Sequence, residues 1–222
     1  MFQSAKELET IFLTEGVFYR LLTNNVSHFC RSVAYIRRKG SFTDGTDALF
    51  VLLNPGKSLP VDGEDAIPFL TGEVDILPIL PATPDNTMFQ LMRLMERMEW
   101  NQVQIINLTD LRTGKFNEYL DGQKLMRTHR DSRHSIFSID RYPELLDIVE
   151  GADHIIAGWG TKQEITGAAE EAYTVLSELG EVTGIPYNKQ PLYYHPFPWL
   201  RTKCIKWLDD MEEQLKGATK VV

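Results

Sequence analysis

The sequence of 222 residues lacks the features that mark secreted, membrane-spanning and disulfide-stabilised proteins. It has only two cysteines, Cys30 and Cys204, which lie far apart and do not show the spacing of a metal site. No apolar run approaches the ~20 residues of a membrane helix. The N-terminal residues carry neither the basic start nor the apolar run of a signal peptide. We therefore predict a cytoplasmic protein with two reduced, structural cysteines and no membrane partner.

Common catalytic and cofactor motifs are missing as well. The segment Gly56-Lys57-Ser58 lacks the earlier glycine of a phosphate-binding loop. The patterns G-x-G-x-x-G, H-E-x-x-H and G-x-S-x-G do not occur. The histidines show no paired ligand spacing apart from His129 and His134. We predict that the protein uses neither a metal ion nor an organic cofactor.

Positive charge is in short supply, because 23 Lys and Arg residues stand against 31 Asp and Glu residues. The resulting net charge of −8 repels a polyanion at long range and disfavours general coating of DNA. Basic residues do cluster at residues 37–40 and 124–134. Each cluster is compatible with a confined phosphate contact or with a solvated basic loop, and both interpretations stay open.

What the sequence does contain is an alternation of apolar runs and helical patterns. A capping box at Ser4–Glu7 opens a first helix, and "VFYRLLT" and "FCRSVAYI" predict edge strands. Four later runs predict core strands: "ALFVLL" (48–53), "VQIINL" (103–108), "HIIAGWG" (154–160) and "PLYYH" (191–195). The pattern predicts one α/β domain over residues 1–222, a three-layer α/β/α sandwich with a mostly parallel central sheet of about four core strands. Residues 1–45 form its N-terminal helix and edge strands, and residues 57–85 a proline-rich lid loop.

Polar side chains follow these core strands, where an open parallel sheet binds its ligands. The candidates are Asn54, Pro55, Gly56 and Lys57 after the first strand, Asn107, Asp110 and Arg112 after the second, Trp159 and Gly160 after the third, and His195 after the fourth. Taken alone, Asn-Pro-Gly is also an ordinary turn and His195 an ordinary core histidine. Their convergence at one sheet edge beside the lid predicts a pocket.

Taken in order, the strand ends resemble motifs of the uracil-DNA glycosylase superfamily, in the form found in its mismatch-specific branch. The matching stretches are "LLNPGKS", "TPDNTMFQLM", "IINL", "AGWG" and "YYHPFP". The resemblance implies a glycosylase-like fold in which Asn54 orients the attacking water, Asn107 reads a base edge and His195 donates to the departing base. Phe69 or Phe89 would stack on the base.

One departure from that pattern changes the expected substrate. The closing motif continues as Phe197-Pro198-Trp199, where the glycosylases have a small hydroxyl residue and a loop that enters the duplex. Opening a duplex costs a few kcal/mol. We therefore expect a small nucleobase- or nucleotide-like ligand, with single-stranded or terminal nucleic acid as an open alternative.

The sequence also resembles a bacterial family known only as a domain of unknown function, DUF1643. The stretches that carry this likeness are "LLNPG", "NLTDLR", "AGWG" and "LYYHP". Membership of that family implies a fold but no established activity.

Two functions follow as hypotheses. The first is hydrolysis of the N-glycosidic bond of a nucleobase compound, with Asn54 and His195 as the catalytic pair and Asp110 as general base if its carboxylate faces the pocket. The second is a non-catalytic nucleotide-binding or interaction module, because an amide at position 54 cannot take a proton from water. The sequence does not define the oligomeric state.

Overall fold

The computed structural model describes residues 2–42, 45–71, 76–188 and 191–218. The strands within these ranges are β1 (Phe12–Thr23), β2 (Val26–Arg38), β3 (Ala48–Leu52), β4 (Ile79–Pro81), β5 (Gln102–Asn107), β6 (Ile155–Ala157) and β7 (Val182–Thr183). The helices are α1 (Ala5–Ile11), α2 (Asn86–Met98), α3 (Phe116–His129), α4 (Tyr142–Glu150), α5 (Thr166–Leu179) and α6 (Arg201–Ala218).

The strands form one mixed sheet in the order β4-β1-β2-β5-β3-β6-β7. The pairs β4-β1, β1-β2 and β2-β5 are antiparallel, whereas β5-β3, β3-β6 and β6-β7 are parallel. The α/β class predicted from the sequence is confirmed. The prediction of a mostly parallel sheet is wrong, because the β1-β2 hairpin joins the parallel strands through β2 instead of standing apart from them.

The last predicted core strand is also wrong. In "PLYYH", Tyr193 makes only isolated bridges to Gly160 and Pro186. Pro191 and Pro196 bracket the segment, and a proline has no N–H to donate to a sheet. The final parallel strand is instead the two-residue β7, which pairs with β6.

Alternate residues of the central strands bury into two separate cores. In β3, Leu49 and Val51 pack with residues of α3, α4 and α5, whereas Phe50 and Leu52 pack with residues of α1, α2 and α6. Helices therefore lie on both faces of the sheet. The methionine-rich face of α2 is core, as its helical spacing predicts. Among the described residues, no helix combines the length and apolar character needed to cross a membrane.

The N-terminal elements follow from local signals. The Ser4 hydroxyl accepts from the Glu7 N–H and the Glu7 carboxylate accepts from the Ser4 N–H, so the predicted capping box is present. Strands β1 and β2 meet at Asn24 and Asn25, whose φ angles of 48° and 61° are the left-handed values that tight hairpins require. The predicted strand pair is thus a hairpin, and β4 rather than β1 lies at the outer edge of the sheet.

The predicted lid, residues 57–85, packs mainly along β1. The Arg20 N–H donates to the Pro68 carbonyl at 2.7 Å, and the Leu70 N–H donates to the Arg20 carbonyl at 2.9 Å. Strand β4 within the same segment pairs with β1. Residues 72–75 lie outside the described ranges. The segment therefore extends the edge of the sheet, and its two ends are the parts that reach the cleft described below.

Candidate functional site

A cleft of about 490 Å³ opens where β3 ends and α2 begins. Its walls come from the turn after β3, the first turn of α2, the loop before α3 and the segment before α6. The lining residues are Arg31, Leu52, Leu53, Asn54, Pro55, Gly56, Lys57, Asp85, Asn86, Thr87, Met88, Ile105, Thr113, Gly114, Lys115, Phe116, His195, Phe197 and Trp199.

The Asn54 side chain is held in one orientation. Its Nδ2 donates to the Thr113 carbonyl oxygen at 2.8 Å and contacts Thr113 Oγ1 at 3.1 Å. A carbonyl oxygen can only accept, so the nitrogen must face Thr113 and Oδ1 must point the other way. Within the described part of the chain Oδ1 has no hydrogen-bond partner. Asn54 thus presents an acceptor suited to binding a water molecule or a ligand N–H.

His195 presents the complementary donor. The Phe197 N–H donates to His195 Nδ1 at 3.2 Å, so in the neutral ring the proton lies on Nε2. Burial lowers the pKa of His195, which favours this neutral form. The segment before α6 therefore fixes both the tautomer and the orientation of the imidazole.

Asp85 brings a carboxylate to the cleft that the sequence did not reveal as a site residue. Its Oδ1 caps α2 by accepting from the Met88 N–H at 3.0 Å. A Cβ atom added to Gly56 would lie 3.1 Å from Asp85 Oδ2, so this oxygen sits against the Asn-Pro-Gly turn. Gly56 has a φ of 66°, which glycine adopts without strain. A carboxylate beside the turn can accept a proton from water, which the Asn54 amide cannot.

The electrostatic character of the cleft is opposite to that of the whole chain. Arg31, Lys57 and Lys115 line it, against Asp85 as the acidic lining residue. Asn86, Thr87 and Met88 at the start of α2 also line the cleft, and the N-terminus of a helix favours negative charge. A chain of net charge −8 therefore has a locally positive cleft that suits an anionic ligand.

Arg31 forms part of the floor of the cleft and is only 2% exposed. Its Nε and Nη1 atoms have no hydrogen-bond partner among the described residues. Burial lowers its pKa to about 10, so the guanidinium stays charged at neutral pH. A Cβ at Gly16 would lie 3.2 Å from Arg31 Cδ, which means that this glycine makes room for the side chain over β1. The signal in the sequence is a charged residue inside the apolar strand "FCRSVAYI".

Three aromatic rings add flat apolar surface to the cleft. Trp199 is 82% exposed, and its ring centroid lies 5.5 Å from that of Phe197. Phe116, which also lines the cleft, stacks with Tyr119, with 5.6 Å between the centroids. Planar bases stack on such rings. The cleft thus combines a stacking surface, an oriented acceptor and donor, and positive charge.

The structure brings some of the sequence-predicted site residues together and places others elsewhere. Those that line the cleft are Asn54, Pro55, Gly56, Lys57 and His195. Those placed elsewhere are Phe69, Asn107, Asp110, Arg112, Trp159 and Gly160.

Asp110 is fully buried and does not line the cleft. Its Oδ2 accepts from the Tyr19 hydroxyl at 2.7 Å and forms an ion pair with Arg141 at 2.5 Å. Arg141 in turn contacts both carboxylate oxygens of Glu144 at 2.8 Å. Asp110 therefore ties β1 to the start of α4 and does not face the cleft as a general base.

Asn107 and Arg112 flank the cleft without lining it. Asn107 is fully buried at the end of β5, and neither Oδ1 nor Nδ2 has a partner within the described ranges. Alternation along β5 puts it on the same sheet face as Ile105, which does line the cleft. Arg112 Nε donates to the Ser58 carbonyl at 2.8 Å, and its Nη1 lies 3.7 Å from a Glu64 carboxylate oxygen. Arg112 thus anchors the segment that follows the Asn-Pro-Gly turn.

The three remaining predicted residues have structural surroundings. Trp159 Nε1 donates to the Pro191 carbonyl at 2.6 Å. Gly160, with a φ of 110°, bridges to Tyr193. Phe69 is half exposed at the β1 edge, 5.4 Å from the Arg20 guanidinium.

The basic clusters seen in the sequence do not reach the cleft. Arg37 pairs with Glu15, and Arg38 pairs with Glu96 at 2.6 Å. Residues 124–134 belong to the end of α3 and the loop after it.

In the described part of the structure, no three His, Cys, Asp or Glu side chains converge as ligands for a metal ion.

Comparison with known proteins gives one match. A family model described as "Protein of unknown function (DUF1643)" matches residues 81–197, more than half of the chain. No curated protein and no solved structure matches, so the resemblance to uracil-DNA glycosylases has no support from these comparisons. The matched region includes the start of α2, the loop that orients Asn54, and His195. The chain belongs to the DUF1643 family of proteins of unknown function.

Proposed function

We propose that the cleft binds a small nucleobase- or nucleotide-like ligand and hydrolyses its N-glycosidic bond. The observation that carries the proposal is the orientation of two side chains by backbone groups. Thr113 turns Asn54 so that Oδ1 is left to accept, and Phe197 turns His195 so that Nε2–H is left to donate. The exposed Trp199 ring offers a surface on which a base can stack.

The proposed reaction assigns one task to each group. Asn54 Oδ1 holds the attacking water, and Asp85 Oδ2 takes a proton from it as the oxygen bonds to the anomeric carbon of the sugar. The C–N bond breaks and its electron pair leaves with the base. His195 Nε2–H donates to the base as this negative charge develops. Asp85 thus replaces Asp110, which the sequence suggested for the task.

The resemblance to uracil-DNA glycosylases is part of this proposal. Four strands of the mixed sheet, β5, β3, β6 and β7, are parallel and have helices on both faces, and this part of the sheet supports a glycosylase-like arrangement. The acidic chain and the Phe197-Pro198-Trp199 segment favour a free nucleotide, a modified nucleoside or a single-stranded end over duplex DNA. We also propose a cytoplasmic location, in keeping with two buried free cysteines.

A non-catalytic nucleotide-binding or interaction module is the second candidate. It is favoured by the commitment of Asp110 to Arg141 and Tyr19, which removes one potential base. It is also favoured by the capping bond that occupies Asp85 Oδ1. In this function the same cleft binds a nucleotide without turning it over.

Release of free base distinguishes the two functions. Purified protein is incubated with nucleosides, nucleotides and uracil-containing or mismatched oligonucleotides, and free base is measured by chromatography. Asn54→Ala, His195→Ala and Asp85→Asn should each abolish release, with stability within about 1–2 kcal/mol of wild type. Asparagine is itself a good N-cap, so Asp85→Asn should keep α2 intact.

His129→Ala is the matched control, because His129 is an exposed residue of α3 outside the cleft. It should leave release unchanged. Binding without release in the wild type would favour the module, and absence of both would refute the proposal. If Asn54→Ala and His195→Ala unfold, these residues belong to the scaffold and the site assignment fails.

A further inference from the structure

Arg31 is a buried charged residue of the cleft that the proposed reaction does not use. The buried arginines of the described residues are Arg31, Arg93 and Arg141. Arg93 donates to the Gln3 carbonyl at 2.9 Å, and Arg141 pairs with Asp110 and Glu144. Arg31 alone of these three has neither a hydrogen bond nor an ion pair from its side chain to a described residue. Burying an unpaired charge is costly, so its presence here needs an explanation.

We propose that Arg31 binds a phosphomonoester group at the floor of the cleft, so that the natural ligand is a nucleotide rather than a nucleoside or free base. This inference rests on the proposed function and names its ligand class. A planar guanidinium matches the geometry of phosphate oxygens and can contact two of them at once. The ligand anion would supply the partner that the protein does not provide.

The surroundings of Arg31 support an anion of this kind. Lys57 and Lys115 line the same cleft, and so does the first turn of α2, the end of a helix that favours anions. Asp85 is the acidic residue that most favours the charged form of Arg31, yet no ion pair joins the two side chains in the described structure. The Arg31 guanidinium therefore has an acidic residue nearby, but its Nε and Nη1 atoms have no hydrogen-bond partner among the described residues.

The depth of Arg31 restricts which phosphates can reach it. At 2% exposure the side chain is accessible to the end of a ligand but not to an internal phosphodiester of a continuous strand. A terminal phosphate can come from a free nucleotide or from the phosphorylated end of an oligonucleotide. The two sources share the chemistry and are separated by experiment.

Titration calorimetry tests the proposal on the full chain. The ligands are the four common nucleosides, their 5′-monophosphates, inorganic phosphate, and one tetranucleotide with a 5′-phosphate or a 5′-hydroxyl. We expect the monophosphates to bind about 10–100-fold more tightly than the nucleosides, the range for hydrogen bonds to charged groups. Arg31→Gln should remove this difference, and Arg31→Lys should retain part of it. Arg93→Gln is the matched control and should leave the Kd unchanged.

The outcomes separate this inference from the proposed function. Equal binding of nucleosides and monophosphates, unaffected by Arg31→Gln, would overturn the role of Arg31 while leaving a nucleobase cleft. Binding of inorganic phosphate that depends on Arg31, with no binding of nucleosides or nucleotides, would support the phosphate site and refute the proposed function. No binding of any ligand in the panel would overturn both the role of Arg31 and the proposed function. A preference for the phosphorylated tetranucleotide over every monophosphate would identify a nucleic acid end as the source.

The ligand-free protein gives an independent readout. Because Arg31 is buried without a partner, Arg31→Gln should leave the melting temperature unchanged or raise it, whereas Arg93→Gln should lower it. In many binding sites, a residue that binds the ligand lowers the stability of the ligand-free protein. Unfolding of Arg31→Gln would show that the charge holds the fold, and the proposal would fail.

Discussion

Replacing Asp110 by asparagine tests whether this carboxylate belongs to the scaffold or to the cleft. Its Oδ2 lies 2.7 Å from the Tyr19 hydroxyl and 2.5 Å from Arg141 Nη1, and the residue is fully buried. Asparagine can still accept from Tyr19, so the main change is the loss of negative charge opposite Arg141. We therefore expect a loss of stability with no change in ligand binding by the folded protein.

The magnitude follows from the contacts that Arg141 keeps. Breaking a buried ion pair by removing one partner typically costs about 3–5 kcal/mol. Arg141 retains its two 2.8 Å contacts with Glu144, which places the expected cost at the lower end, about 3 kcal/mol. For a chain of this size that corresponds to a fall in melting temperature of about 6–12 °C.

Urea unfolding and calorimetry of Asp110→Asn measure this cost. Asp140→Asn is the control, because Asp140 is exposed beside Arg141 and should change stability by no more than about 0.5 kcal/mol. Adding Arg141→Met to Asp110→Asn should cost less than the sum of the two single changes, since the pair acts as a unit. An Asp110→Asn variant with wild-type stability and no ligand binding would refute this account and return Asp110 to the site.

Three further predictions concern pH, the turn and the first helix. Burial lowers the pKa of His134 from 6.5 to about 4. As the pH falls, His134 therefore gains its proton in the unfolded chain before it does so in the folded protein. About 3 kcal/mol of the free energy of unfolding is lost between pH 6.5 and pH 4. His134→Gln should remove that part of the pH dependence in urea titrations, and parallel curves for the two proteins would contradict it. Gly56→Ala should cost about 1–2 kcal/mol of stability, because alanine is strained at the left-handed φ of this position. The added Cβ atom should also displace Asp85 Oδ2 and weaken ligand binding. Unchanged binding by calorimetry would argue against the role of Asp85. Ser4→Ala should cost about 1 kcal/mol by removing the capping bond to Glu7, and thermal melts without a shift would show that α1 forms without its cap.

The parts of the fold that could be predicted from the sequence are those with strong local patterns. The apolar runs that became β3 and β5 are fully or nearly fully buried, and the methionine-rich face of α2 is core. Helix α3 was missed because only Tyr119 and Met126 bury from it, which leaves a polar, basic pattern. Strand β7 has two half-buried residues and carries almost no signal.

The residues that line the candidate cleft could be predicted only where a local sequence pattern marks them. Asn54 and His195 were identified because turn residues directly follow apolar runs. Position after a strand does not determine where a side chain points, however. The Asp110 carbonyl accepts from the Arg31 N–H at 2.9 Å, which turns this loop back onto β2 and sends the Asp110 side chain into the core. Arg31 itself reaches the cleft through the pairing of β2 with its neighbours, which no local pattern specifies.

Binding of a nucleotide at the Asn-Pro-Gly turn is tested most directly by a thermal-shift measurement with nucleoside 5′-monophosphates on wild type and Asn54→Ala. A ligand at 100 times its Kd adds about 2.7 kcal/mol of stability, which for this chain is a rise of about 5–10 °C. We expect this rise for wild type with at least one monophosphate, and little or none for Asn54→Ala. An equal rise for both proteins would place the ligand away from the Asn-Pro-Gly turn, and no rise with any nucleotide would contradict a nucleotide-binding cleft.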